Sequence, residues 1–394
     1  MLYTASDLSR EYGNSLRLLA GSDGLSRAVS GVGILDYELM PGLKNKYQRV
    51  NFRADEIVLS TFLYAKDDPY LITEAVKYLV ATGTSGLIIK NALHLAIPEQ
   101  ALRYANVRHY PIFLVTSESL FFDQLIYRVN RHIEDLSAID FAQREIDALR
   151  AETSPEAIAN RTRNINPSFL DEAVAVFLSF DEALAPQAFL KLEKFYTASN
   201  LAVCSNLFAA YDGGLLFVAT ADPETALDTD RIERSLTELI EGSGIDCSRE
   251  GTGISEVLFG ENAVAQAVEQ ALFAEQVSAA RGVRTVSYPE LGVLRAVMPF
   301  AQTAEMGSFA STVLTPLCEH DAEHAGQLEQ TLVAFIDNGQ HIEQTAQALG
   351  QHPNTVRYRL EKIAALTGLS YRDGAHATQL ALACAIEQAR MLQR

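Results

Sequence analysis

The stretch HIEQTAQALGQHPNTVRYRLEKI, residues 341–363, decides how the rest of the chain is read. Ile342, Thr345, Ala346 and Leu349 recur at helical spacing, and Gly350 stops that helix by permitting a left-handed backbone. Gln351, His352 and Pro353 span a turn, and Pro353 suits the first position of a new helix, where its missing N–H goes unneeded. Val356, Leu360, Ile363 and Ala364 then form the apolar stripe of that second helix. The small Ala346 lets the two helices approach closely. The pattern is that of a helix-turn-helix, whose second helix lies in a DNA major groove.

Charge supports the same reading. The chain has 32 Lys+Arg against 50 Asp+Glu, a net charge of −18, which disfavours unspecific attraction to nucleic acid. Residues 351–372 nevertheless carry a local net charge of +3. A basic island on an acidic body suits selective docking. The residues expected to touch DNA are His352, Asn354, Thr355, Arg357, Tyr358, Arg359 and Lys362, all read as lying away from the core stripe. Asn and Arg can pair bidentately with adenine and guanine. Thr355 and Tyr358 are expected on phosphates. A helix–Gly–helix pattern is common, so the solvated face of an ordinary helical bundle stays open as the alternative.

Upstream, Leu328, Leu332, Phe335 and Ile336 form one more helical face, ended by Asn338-Gly339. A chain of 394 residues is too long for one ordinary core, and an apolar fraction of 48% is ample for several. Residues 1–118 alternate strand-like runs, IVLS (57–60), GLIIK (86–90) and PIFLV (111–115), with helical segments at 69–82 and 98–108. That alternation predicts a covered, parallel sheet. Residues 119–168 read as a long helix and a linker. Phe122, Ile126, Val129, Ile133 and Leu136 step in heptad fashion, continued by Ile139, Ile146 and Leu149. The seam fits either a helix packed on its own domain or a dimer-forming connection. Pro155 and NRTRNINP (160–167) read as linker. Residues 169–300 restart an α/β alternation, with AVAVFLSF (173–180) and LLFVAT (215–220) as strands and 230–240 and 261–280 as helices. The polar stretch 301–326 reads as a connector, and 327–394 as an all-helical DNA-binding domain.

Other chemical signals are weak. Cys204, Cys247, Cys318 and Cys384 lie far apart, which fits reduced thiols in a cytoplasm better than a zinc ribbon or disulfide framework. No run reaches the ~18 apolar residues of a membrane span, and the amino terminus lacks a secretion pattern. His320 and His324, with Cys318 nearby, share a helix face but fit an exposed polar helix better than a metal site. Ser60 and Thr61 end an apolar strand, where α/β sheets often place ligands; a structural cap is the competing role. No dinucleotide, Walker, nucleophile-elbow or zincin motif is present.

Residues LEQTLVAFIDNGQHIEQTAQALGQHPNTVRYRLEKIAALTGL (328–369) resemble the carboxy-terminal helix-turn-helix of the PucR family of bacterial transcriptional regulators, HPNTVRYRL being the most specific part. Pro353 stands where that family usually has Arg. GLSRAVSGVGILD (24–36) and DEIVLSTF (55–62) resemble the family's amino-terminal sensory domain. There the family often reads Gly-Glu-Leu-Val-Leu-Thr-Thr-Gly, so Asp55, Ser60 and Phe62 are departures. The middle segment, ending GVRTVSYPELGVLRAV (282–297), resembles the family's degenerate nucleotide-cyclase-like domain. Gly213-Gly214-Leu215-Leu216-Phe217 looks like the Gly-Gly-Asp-Glu-Phe hairpin of diguanylate cyclases with both carboxylates replaced by leucine, which cannot ligate Mg²⁺. Asp212-Gly213-Gly214 also reads simply as a hairpin turn.

The expectation is a multidomain α/β and α+β protein. An α/β sensory domain (1–118), a connecting helix and linker (119–168), a cyclase-like domain without turnover (169–300), a connector (301–326) and an all-α helix-turn-helix bundle (327–394) follow in order. The resemblance implies a cytoplasmic transcriptional regulator, with double-stranded DNA and a small-molecule or protein signal as partners, in purine, nitrogen or other catabolism. It is expected to be a homodimer or higher oligomer, with no cofactor, metal or membrane. An active nucleotide-processing enzyme, or a ligand-binding scaffold whose helix-turn-helix contacts protein, are the alternatives.

Overall fold

The computed structural model describes residues 2–40, 52–246, 248–324 and 326–393, so Cys247 lies outside the described residues. The chain divides into two compact units, 1–144 and 145–394.

The first unit is built on a five-stranded sheet. Helix α1 (Ala5–Tyr12) starts from a capping box, in which the Thr4 hydroxyl accepts from the Asp7 amide at 3.2 Å and the Asp7 carboxylate accepts from the Thr4 amide at 3.0 Å. Strands β1 (Leu16–Ala20), β2 (Gly31–Ile34), β3 (Glu56–Ser60), β4 (Gly86–Ile89) and β5 (Ile112–Val115) assemble in the order β1-β5-β4-β3-β2. β2 to β5 run parallel, and β1 closes one edge antiparallel to β5.

Both faces of this sheet are covered, which explains why its strands read as unbroken apolar runs. Val58, Leu87, Ile89 and Ile112 point to one side, against Ile72, Val76 and Leu79 of α2 (Tyr70–Thr82) and Ala101 and Ala105 of α3 (Glu99–Val107). Their neighbours Ile57, Leu59, Ile88 and Phe113 point to the other, against Leu8 of α1 and against α4 (Phe122–Arg150). On α4, Leu125, Val129 and Leu136 are buried in that second core, and Phe122, Ile126, Ile133 and Ile139 pack around it. The heptad seam is therefore occupied by its own domain. From Phe122 to Ile139 the seam packs on its own domain, and an amphipathic helix covering a sheet generates the same period as a dimer-forming one.

The carboxyl end of α4 belongs to the second unit. Arg150 donates to the Tyr211 hydroxyl at 2.8 Å and pairs with Glu269, while Tyr211 donates to Asp147 at 2.7 Å. The stretch expected as a linker is instead a helix, α5 (Pro155–Ile165), with Pro155 in its first turn. A proline there begins a helix as readily as it ends one. After it come β6 (Glu172–Phe180), α6 (Pro186–Thr197), β7 (Leu207–Tyr211), β8 (Gly214–Ala221), α7 (Thr229–Gly242), β9 (Arg249–Ile254), β10 (Leu258–Phe259), α8 (Ala263–Arg281) and β11 (Val286–Ser287). The sheet order is β11-β9-β6-β8-β7, with β10 paired to β6. β7 and β8 form a hairpin closed by Asp212 and Gly213, both at positive φ (45° and 73°), as a two-residue turn of the primed type requires. Leu215 and Leu216, which follow, are fully buried.

A short helix, α9 (Leu294–Val297), leads into five-helix packing made by α10 (Ala304–His324), α11 (Leu328–Asp337), α12 (Ile342–Ala348), α13 (Pro353–Thr367) and α14 (Gly374–Leu392). The polar connector expected at 301–326 is thus mostly α10. Its Val313, Leu314 and Leu317 share a core with Leu332 and Phe335 of α11, Val356 and Leu360 of α13, and Leu380 of α14. Pro316 sits inside α10, and the acidic, histidine-rich end masks the apolar stripe in the sequence. α14 turns its other face, Ala385, Ile386 and Ala389, onto Phe273 and Val277 of α8 and Leu294 of α9.

Candidate nucleic-acid interface

The turn between α12 and α13 is built as its residues demand. Gly350 has φ +61°, and the Gln351 amide returns to the Ala346 carbonyl at 2.8 Å. His352 caps α13: its Nδ1 accepts from the Asn354 amide at 3.2 Å, and Pro353 occupies the first turn. Val356, Leu360 and Ile363 are buried, and Ala346 is buried opposite them. These contacts fix which side of α13 faces outward.

Seven residues of this region were candidates, and they fall into two groups. His352, Asn354, Arg357 and Tyr358 are exposed, Tyr358 by 69%. Asn354 and Tyr358 are one turn apart on the outer face. The Arg357 guanidinium donates to Asn354 Oδ1 at 3.0 Å, which holds the two side chains side by side. Thr355 and Lys362 are half-buried at the margins of that face.

Arg359 departs from the expectation that all seven point away from the core stripe. It is half-buried and donates to Gln327 Oε1 at 2.8 Å and to Thr331 Oγ1 at 3.1 Å, both near the start of α11. At 100° per residue it lies only about 60° from Val356 on the helix wheel, within reach of the neighbouring helix. Arg357 lies as close to Leu360 on the wheel, so spacing alone does not tell the two arginines apart. Arg372, counted in the basic island, is also engaged: it pairs with Glu361 at 2.5 Å and stacks on Tyr371. The free positive charge on the face is therefore smaller than +3. It rests on Arg357 and Lys362, neither of which meets a carboxylate among the described residues.

The remaining candidates have simpler surroundings. Ser60 is fully buried and its hydroxyl accepts from the Phe62 amide at 3.1 Å, as a strand cap; Thr61 is half-buried. Phe62, buried, has φ +52°, and Asp55 has φ +65°. His320 and His324 stack at 4.4 Å between ring centres, and Cys318 donates to Glu329. Among the described residues no group of three or more His, Cys, Asp or Glu is arranged to hold a metal. Among the same residues no helix is long and apolar enough to cross a membrane.

Comparison with curated proteins returns no match. A solved structure described as a regulator of polyketide synthase expression from Bifidobacterium adolescentis aligns over 65% of this chain and 100% of that one. The identity is 20% and the TM-score 0.31, too loose a superposition to carry a structural argument. Family models match at both ends. Residues 8–133 match the purine catabolism regulatory protein-like family, and residues 328–386 match the PucR C-terminal helix-turn-helix domain, which contains α12, the turn and α13. The chain is therefore a PucR-type transcriptional regulator, with the family's amino-terminal domain at one end and its helix-turn-helix DNA-binding domain at the other.

Proposed function

We propose that α13 enters the major groove of an operator with Asn354 and Arg357 on base edges and Thr355, Tyr358 and Lys362 on phosphates. His352 sets the start of the helix. Arg359 positions α13 against α11 and does not read sequence itself. The observation that carries this reading is the Asn354–Arg357 pair, exposed at the amino-terminal half of α13 and outside the buried stripe of Val356, Leu360 and Ile363. Bidentate readers of adenine and guanine are then presented together on a rigid helix.

The signal enters at the amino-terminal sensory domain (1–118), as a small molecule or a protein, and the output serves purine, nitrogen or other catabolism. The region 119–168 connects it to a degenerate cyclase-like domain (169–300), with the helix-turn-helix bundle at 327–394. The middle domain performs no turnover. The hairpin positions where cyclases carry acidic residues hold Leu215 and Leu216, buried and without oxygen ligands for Mg²⁺. The protein works in the cytoplasm as a homodimer, so its operator is palindromic or repeated, with half-sites about 34 Å apart or a multiple of that.

The test is selection from a random pool of duplexes with the full chain. Recovery of a two-part motif supports the reading. Recovery of no enriched sequence counts against it, and a cyclic dinucleotide formed from GTP and Mg²⁺ overturns the non-catalytic middle domain.

A further inference from the structure

Where α14 and α11 meet the segment that follows α8, the second unit holds a cavity of about 840 Å³. That is within the range of about 300–1,000 Å³ typical of small-molecule sites. Its floor is apolar and buried: Leu291, Leu294, Leu314 and Ala385. Its lip carries Val293, Val333 and Met391, exposed by 60%, 41% and 55%. Large apolar side chains are exposed elsewhere on the chain, but these three stand together around one opening, and contiguous apolar patches of that kind mark binding sites.

The polar lining has one dominant sign. Among the described residues Glu329, Asp337 and Glu387 line the cavity, against Arg281. Glu387 is partly offset by Arg390 on its own helix, 4.0 Å away, whereas Asp337 has no ion-pair partner among the described residues. The field of the carboxylates reaches the apolar wall. The Cys384 thiol there is pushed up to about 12, by burial first and then by Glu329 and Asp337. An anion would meet repulsion in this cavity. A bare metal ion would have no use for leucine walls.

We propose that this cavity binds a hydrophobic organic cation, its apolar body on the leucine floor and its positive charge toward Glu329 and Asp337. The volume and the enclosing walls favour a small molecule over a protein segment. The occupant touches α11 and α14 on one side and Leu291 and Leu294 on the other. It would therefore fasten the helix-turn-helix bundle to the preceding domain. Binding itself does not depend on the DNA reading, so the two fail separately.

The experiment is calorimetric titration of the full chain with tetraphenylphosphonium and with tetraphenylborate, two ions of one shape and opposite charge. The expected result is one phosphonium bound per chain, at least about tenfold tighter than the borate, because only the cation gains from the carboxylates. The pair Glu329→Gln with Asp337→Asn should remove that preference. Leu382→Trp, which fills the cavity, should abolish binding. Val333→Trp at the exposed lip is a second blocking variant that leaves the core untouched, and a circular-dichroism melt verifies that each variant is folded. No saturable phosphonium binding, equal binding of both ions, or binding unchanged in the folded variants overturns the proposal. So does a dimer by light scattering that Val333→Trp dissociates while phosphonium fails to bind, since a second copy would then be the occupant.

Discussion

Arg359 and Gln327 stand 32 residues apart in the sequence and 2.8 Å apart in space, guanidinium to amide oxygen. With the second bond to Thr331 at 3.1 Å, this contact ties the helix assigned to the groove to the first helix of the matched domain. It separates two arginines that the sequence presents as equals. Arg359→Ala should lower unfolding stability by about 1 kcal/mol, discounted for its half-exposed site. Arg357→Ala should change it by less than about 0.5 kcal/mol. Arg359→Lys should not rescue, because an ammonium cannot reach both acceptors as the planar fork does. Urea melts of the three variants check this, and equal effects at 357 and 359 would contradict it.

Base readers and phosphate holders should differ in how they fail. Asn354→Ala and Arg357→Ala should each weaken binding to a selected operator by about 1–3 kcal/mol, with random duplex unaffected by the first and weakened less than the operator by the second, which also removes a charge. Lys362→Ala should weaken both alike and lower the salt slope by about 1. Anisotropy titrations on matched and scrambled duplexes distinguish the two patterns.

The two ends of the family's glycine-bounded stretch also have consequences. Asp55 and Phe62 both adopt positive φ, 65° and 52°, a region favouring glycine. Asp55 is exposed, so Asp55→Gly should gain up to about 1 kcal/mol of stability by relieving backbone strain. Phe62 is buried, and losing its ring outweighs the same relief: about 3–5 kcal/mol against 1–2. Phe62→Gly should therefore destabilise. Thermal melts showing the same sign for both substitutions would refute the assignment of strain at Asp55.

Glu275 on α8 is a buried carboxyl facing the Ser179 hydroxyl, with Glu250 and Asp212 nearby. Its pKa is raised, by burial first, partly offset by the Ser179 hydrogen bond and increased by the two carboxylates. A carboxyl raised on folding contributes stability that is present below its ordinary value, near 4.5, and lost as pH climbs through the raised one. Glu275→Gln, which cannot ionise, should therefore match the parent below pH 4.5 and become relatively more stable toward neutrality. A melting-temperature difference that stays flat from acid to neutral pH would contradict this.

Much of the architecture was legible where burial imposes a simple period. IVLS, GLIIK and PIFLV are strands because both faces of their sheet are covered, and Val356, Leu360 and Ile363 are a buried stripe because α13 has one apolar side. Short or edge elements left weaker traces: β1 is only half-buried along its middle, and β2 reads GVGI, with two glycines. The helices at 155–165 and 304–324 were not foreseen, because Pro155 with the polar run 160–167, and the polar, His/Glu-bearing stretch 301–326, read as breaks, although proline suits a first turn and α10 keeps its apolar residues on one face. The heptad seam on α4 was ambiguous in principle, since a sheet and a second helix ask for the same spacing. At the candidate interface the sequence placed α13 and its buried stripe, but which arginine turns back to α11 depends on the partner helix, which no local pattern contains.

The most direct measurement is the affinity of the full chain for a selected operator across a salt series, for the parent and for Arg357→Ala. The account predicts steep weakening with salt and a loss of about 1–3 kcal/mol in the variant at every salt concentration. Salt-insensitive binding, or an operator affinity unchanged by Arg357→Ala, would contradict the claim that this face of α13 reads DNA.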